Sequence, residues 1–98
     1  MGIATNLNSP FTGFKTTSLS ATTSAAALIA TADIKSDRIG VELTPVGDSI
    51  KLGYDASNCI VAIADGETRY IPAGNKLPLF VACDSGTATV TVTQFLGV

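Results

Sequence analysis

The chain has 98 residues, the size of one small domain. Only 14% of it is charged against 46% hydrophobic, and its 13 threonines and 8 serines outnumber the 6 cations and 8 anions together. With a net charge of −2 and no histidine, the chain lacks the commonest general base and the commonest transition-metal ligand, which closes Ser-His-Asp and Cys-His catalysis and His-ligated copper or zinc.

The cations are scattered at Lys15, Lys35, Arg38, Lys51, Arg69 and Lys76. No basic face is available to displace phosphate counterions, so no nucleic-acid partner is expected. The apolar runs Ala25–Ala30, Cys59–Ala64 and Leu77–Cys83 fall far short of the roughly 18 residues of a membrane helix, and no membrane partner is expected. A neutral, hydroxyl-rich surface over an aliphatic core suits a subunit better than a free monomer, which keeps more charge for solubility.

Residues 1–14 read as an extended N-terminal arm ahead of a domain spanning 15–98. Pro10 and Gly13 break any strand period, no charge precedes Lys15, and Ile3, Leu7, Phe11 and Phe14 are costly to leave in water. The arm has two destinations, its own domain or a neighbouring subunit, and the separate aromatics favour the neighbour. Leu7, Pro10, Phe11, Phe14 and Lys15 are therefore the candidate partner-binding residues, with the aromatics as anchors.

Beyond Lys15 the pattern is β. Thr16–Thr23 is β-prone. Ser24–Ala32 is ambiguous: its alanines favour a helix, its place among strands favours a strand. In Arg38–Thr44, Ile39, Val41 and Leu43 alternate with Arg38, Gly40, Glu42 and Thr44. Ile50, Leu52 and Tyr54 repeat the alternation, and Thr44-Pro45-Val46-Gly47 has the form of a type I turn joining the two runs. Asp65-Gly66 between Cys59–Ala64 and Glu67–Ile71 is a hairpin signal. Pro72-Ala73-Gly74-Asn75 supplies another turn. Leu77–Cys83 and Thr87–Phe95 are expected to pair around Asp84-Ser85-Gly86, with Thr87, Thr89, Thr91 and Thr93 forming a hydroxyl ladder on one face. Seven or eight short strands with regular turns predict an all-β fold, a small antiparallel β-sandwich or jelly-roll-like barrel.

Nothing in the sequence composes a catalytic site, and the chain is not expected to be an enzyme. Asp65 serves a turn, Glu67 sits beside Arg69, and no aromatic sugar platform accompanies Asp65/Glu67 or Asp33/Asp37 as an acid pair. Asp48 and Asp55 lack the spacing of a calcium loop, so neither metal nor cofactor is expected. Cys59 and Cys83 are compatible with buried free thiols or with a disulfide.

The order of these features resembles the small β-sandwich virion proteins of tailed bacteriophages, above all capsid decoration (cement) proteins. A Ser/Thr-rich strand, an Ala-Ala-Leu-Ile segment, a strand led by Arg, a short strand closing on Gly, a Pro-Ala-Gly turn and a Gly-Thr-Ala-Thr-Val strand appear here as Thr16–Thr23, Ala26–Ala30, Arg38–Leu43, Ile50–Gly53, Ile71–Gly74 and Gly86–Val92. The likeness spans residues 16 to 95. It implies a non-enzymatic protein of the capsid surface, made in the host cytoplasm, that binds the major capsid protein lattice and stabilises the head, commonly as a homotrimer. The alternative is a receptor- or glycan-binding β-sandwich module of a phage tail fibre or secreted adhesin, which would cluster aromatics or carboxylates at one end.

Overall fold

The computed structural model describes residues 11–97, without the side chains of Phe11 and Thr12. Short β-prone runs separated by Gly, Pro and Asp turns form eight strands: β1 (Phe11–Ala21), β2 (Ala26–Ala27), β3 (Arg38–Val46), β4 (Ile50–Gly53), β5 (Val61–Ile63), β6 (Arg69–Pro72), β7 (Phe80–Cys83) and β8 (Ala88–Gly97). They make two antiparallel sheets, ordered β1-β8-β3-β6 and β2-β7-β4-β5. Pairing β1 with β8, β2 with β7, β3 with β6 and β4 with β5 describes one long antiparallel ribbon. The added pairs β3–β8 and β4–β7 show that ribbon wound on itself, which is a jelly-roll order. The fold is an all-β sandwich.

Residues pointing between the sheets are aliphatic. Val41, Leu43, Ile50, Ile63, Val81, Val90 and Val92 are fully buried, each worth roughly 1.5–3 kcal/mol when removed from water. Two polar side chains join them with their hydrogen bonds satisfied. Gln94 donates to the Asp33 carbonyl at 3.0 Å and accepts from the Lys35 amide at 3.0 Å. Arg38 donates to the carbonyls of Ala73, Gly74 and Leu77 at 3.2, 2.6 and 2.6 Å, and burial pushes its guanidinium pKa down.

The structure corrects three predicted hairpins. β3 and β4, β5 and β6, and β7 and β8 are consecutive in sequence but lie in opposite sheets, so the turns between them are crossovers. Pro45 is not a turn residue: it is buried inside β3 opposite Val90. β6 pairs with β3 only from Gly40 to Leu43, and the Pro45 carbonyl instead accepts from the Gly66 amide at 2.7 Å. N–H and C=O of one strand residue point to the same edge, so the missing Pro45 N–H falls where no ladder bond is needed. Gly47 and Gly66, at φ of 112° and 83°, supply the left-handed turns of two crossovers.

Boundaries shift as well. Residues Phe11–Phe14 belong to β1 rather than preceding the sheet, while residues 1–10 lie outside the described residues. The ambiguous Ser24–Ala32 holds a two-residue strand, and a 3₁₀ turn follows at Thr31–Asp33. Arg38 does not share the outward side of Gly40, Glu42 and Thr44, because an irregularity between Arg38 and Gly40 turns it inward. Tyr54 lies past the end of β4 and is exposed.

Candidate interaction surface

The outward face of the β1-β8-β3-β6 sheet carries the hydroxyl ladder. Thr16, Ser18 and Ser20 of β1 stand opposite Thr93, Thr91 and Thr89 of β8, and Thr44 of β3 stands opposite Thr91. Thr16 and Thr93 share a hydrogen bond of 3.1 Å, and Thr44 and Thr68 one of 2.6 Å. Glu42, opposite Thr93 and Tyr70, is the one charged residue among the described strand positions of this face.

At one end of that face the hydroxyls give way to aromatics. Phe14 stands opposite Phe95, and Phe95 stands opposite Gly40, which faces Pro72. Tyr70 leans over Gly40 and meets the Phe95 ring edge-on, with centroids 5.6 Å apart at 64°. A Cβ at position 40 would collide with the Tyr70 phenol, so the glycine is what lets the ring lie across β3. Edge-to-face contact of this kind adds about 0.5–1.5 kcal/mol beyond area burial. Phe14 nevertheless remains 71% exposed and Tyr70 41%.

Antiparallel winding brings more apolar surface to the same end. Tyr54 and Ile60 flank the β4–β5 loop, Val61 opens β5, and Leu77 precedes β7, all exposed. Of the exposed large hydrophobics among the described residues, Val46 at the far end of β3 is the one that does not lie toward this end.

The predicted partner-binding residues divide accordingly. Leu7 and Pro10 lie outside the described residues, and the side chain of Phe11 is not described. Phe14 joins the aromatic band, whereas Lys15, opposite the buried Gln94, is exposed and points to the other side of the sheet. Phe95, Tyr70 and Gly40 were missed. Phe95 shares the parity of Thr89, Thr91 and Thr93, so the ladder itself pointed to it; Tyr70 depends on a cross-strand register that local pattern does not reveal.

The carboxylates are engaged in turn structure. Asp48 accepts from the Ser49, Ser85 and Gly86 amides, and the Ser85 and Gly86 bonds hold its carboxyl below the usual range. Asp65 accepts from the Gly47 amide at 3.0 Å. Glu67 pairs with Arg69 at 2.8 Å and accepts from the Ala64 amide, and the Arg69 hydrogen bond lowers its pKa. Asp55 caps its own loop through the Ser57 amide and sits at the opposite end of β4 from Asp48. Among the described residues no group of three or more His, Cys, Asp or Glu is placed to hold a metal ion. Cys59 and Cys83 are free thiols, and no described helix is long and apolar enough to cross a membrane.

A cleft of about 280 Å³ opens between β1 and the segment after β2, lined by Leu19, Leu28 and Ile29 with Thr17, Ser18 and Asp33 at its rim. No protein-family model, curated protein or solved structure matches this chain.

Proposed function

We propose that the chain is a structural virion protein, a decoration (cement) protein that binds the major capsid protein lattice at the capsid surface and stabilises the head. The observation that carries this reading is the outward face of the β1-β8-β3-β6 sheet, where Glu42 is the one charge among the described strand positions and Phe14 and Tyr70 stand exposed on either side of the half-buried Phe95. Aromatics beside a nearly uncharged hydroxyl surface give large contact area with few charges to desolvate. The sequence resemblance supplies the virion setting and the homotrimeric association. The mechanism is multivalent: modest contacts repeated over a lattice add through avidity.

The test is co-sedimentation with expanded tailed-phage capsids stripped of their own decoration protein. The wild type should saturate them, and Phe14→Ser with Tyr70→Ser should lower capsid affinity at least tenfold while the domain still melts cooperatively well above the assay temperature, the lost Tyr70–Phe95 contact lowering the midpoint by several degrees. Unchanged binding by that double variant sinks the assignment of the band. A wild type that stays in the supernatant sinks the decoration role.

One observation favours a second reading, a glycan-binding module of a tail fibre or adhesin: Tyr70 lies beside Glu42, joining an aromatic ring to a carboxylate. Chemical-shift changes at Tyr70 and Glu42 on titration with host-surface oligosaccharides would support it, and silence at those positions would remove it.

A further inference from the structure

Among the described residues the two sheets leave four strands at their edges, and these are not alike. β2, β5 and β6 are 2, 3 and 4 residues long, and β6 ends in Pro72. β1 is 11 residues long. An open edge presents unpaired N–H and C=O groups that only another extended strand satisfies in full, and proteins normally blunt such edges by shortening, charge or proline. Three edges of this molecule are blunted by length. β1 is not: its regular stretch from Gly13 to Ala21 has no proline, and Lys15 is its one charge.

We propose that the β1 edge docks a second copy of this chain, β1 pairing antiparallel with its counterpart across a twofold axis to make one eight-stranded sheet. The sequence is self-complementary for this. With Ser18 on the axis, Ser18 meets Ser18, Thr17 meets Leu19, Thr16 meets Ser20 and Lys15 meets Ala21. No like charges oppose one another, and the hydroxyl face continues unbroken across the seam.

The cleft gives the same edge a second contact. Leu19 is half-buried at its wall beside Leu28 and Ile29, and the partner's inward-pointing β1 side chains would sit over this opening, one strand spacing of about 4.8 Å away. In this register the partner's Leu19 and Thr17 come over Thr17 and Leu19 at the opening, short neutral side chains that suit it, while the partner's Lys15 lies beyond it beside Ala21. The contact is isologous and closes at two copies, so it is separate from any threefold association and from capsid binding.

The test is the mass of the full chain in solution, by light scattering across the micromolar range, for the wild type and for Ser18→Lys. That substitution sets two cations face to face on the axis, and the mass should fall by half. Thr91→Lys, on the same face but in the interior strand β8, should leave the mass unchanged. An equimolar mixture of Ser18→Lys and Ser18→Glu should restore the wild-type mass. Equal masses for wild type and Ser18→Lys, a monomeric 10.0 kDa wild type included, would overturn the proposal. So would a Thr91→Lys effect as large as that of Ser18→Lys, or no recovery in the mixture. Melting curves of each variant establish that folding is intact.

Discussion

Asp48 and Ser85 are 37 residues apart, yet the Asp48 carboxylate accepts the Ser85 amide at 3.0 Å. The same oxygen takes the Gly86 amide at 2.9 Å, and the other oxygen takes that of Ser49, also at 2.9 Å. One side chain therefore ties the β3–β4 crossover to the β7–β8 crossover. Asp65, bonded to Gly47, brings in the β5–β6 crossover. Three connections that each pass between sheets are fastened to one another at a single end, so the carboxylates there organise backbone.

The Asp48 clamp should make stability depend on pH. Because folding lowers this carboxyl's pKa, its contribution is complete above the unfolded value of about 3.9 and is lost as pH falls through the folded value. Glu67, lowered by its bond to Arg69, acts in the same direction. Asp48→Asn should lower the urea midpoint at pH 7, and the gap from wild type should narrow between about pH 4 and pH 2. A constant gap over that range would show that the carboxylate charge does not hold the clamp.

Two glycines test how closely chain segments approach. A methyl at Gly40 meets the Tyr70 ring, a side chain able to swing away, while a methyl at Gly53 meets the backbone of Asn58 and Cys59, whose Cα would be 2.9 Å away. Gly40→Ala should therefore cost about 0.5–1.5 kcal/mol, the loss of the Tyr70–Phe95 contact. Gly53→Ala should cost about 2–3 kcal/mol, because the β4–β5 loop must move. Chemical denaturation separates the two, and Tyr70→Ala should abolish the additional cost of Gly40→Ala. Equal costs at the two glycines would mean that Tyr70 cannot leave its place.

The strands were legible because alternation is a local property. Ile50 and Leu52, or Val90 and Val92, reveal their face within four residues. Turn residues were legible too, but not which strands they join. Asp65-Gly66 suits a tight hairpin and a crossover equally, and the choice is made by the Pro45 carbonyl, twenty residues earlier, which takes the Gly66 amide. Arg38 escaped the alternation because an irregularity beside Gly40 resets parity. Phe11–Phe14 lacked a strand signature because the register of β1 against β8 shifts between Phe11 and Gly13, and Gly13 has no side chain to show a face. The aromatic band was half legible. Phe14 stood out by its chemistry, Phe95 was readable from its parity but not singled out, and Tyr70 reaches them only through the β3–β6 and β3–β8 registers.

Arg38 should behave as the latch of the β6–β7 loop. Its guanidinium is buried and bonds three carbonyls of that loop, and hydrogen bonds to a charged group are worth about 1.5–3 kcal/mol each before partial replacement by water. Arg38→Met should cost about 2–4 kcal/mol. Arg38→Lys, a single ammonium without the planar fork, should recover only part of it. Hydrogen exchange should show faster opening at Ala73 and Leu77, whose amides bond the Ile39 and Gly74 carbonyls. A uniform change across the sandwich, with no excess at this loop, would assign Arg38 to general packing.

The two thiols should differ in reactivity as the architecture places them. Cys83 is buried at the end of β7 and donates to the Ala21 carbonyl at 3.3 Å, whereas Cys59 is half-buried beside the Asp55 loop at the opposite end of the sandwich. Burial raises both pKa values, with Asp55 adding to the effect at Cys59 and Asp48 at Cys83, so little thiolate is present near pH 7. Mass spectrometry after maleimide treatment should show one adduct on the native protein, at Cys59, with a rate that climbs as pH rises through 9. Cys83 should react only through unfolding, slower by at least about 10³-fold, and at full speed in denaturant. Mild oxidation of the native monomer should leave the pair unlinked. Equal native labelling of the two cysteines would mean that the β1–β7 side of the sandwich opens far more readily than its packing implies.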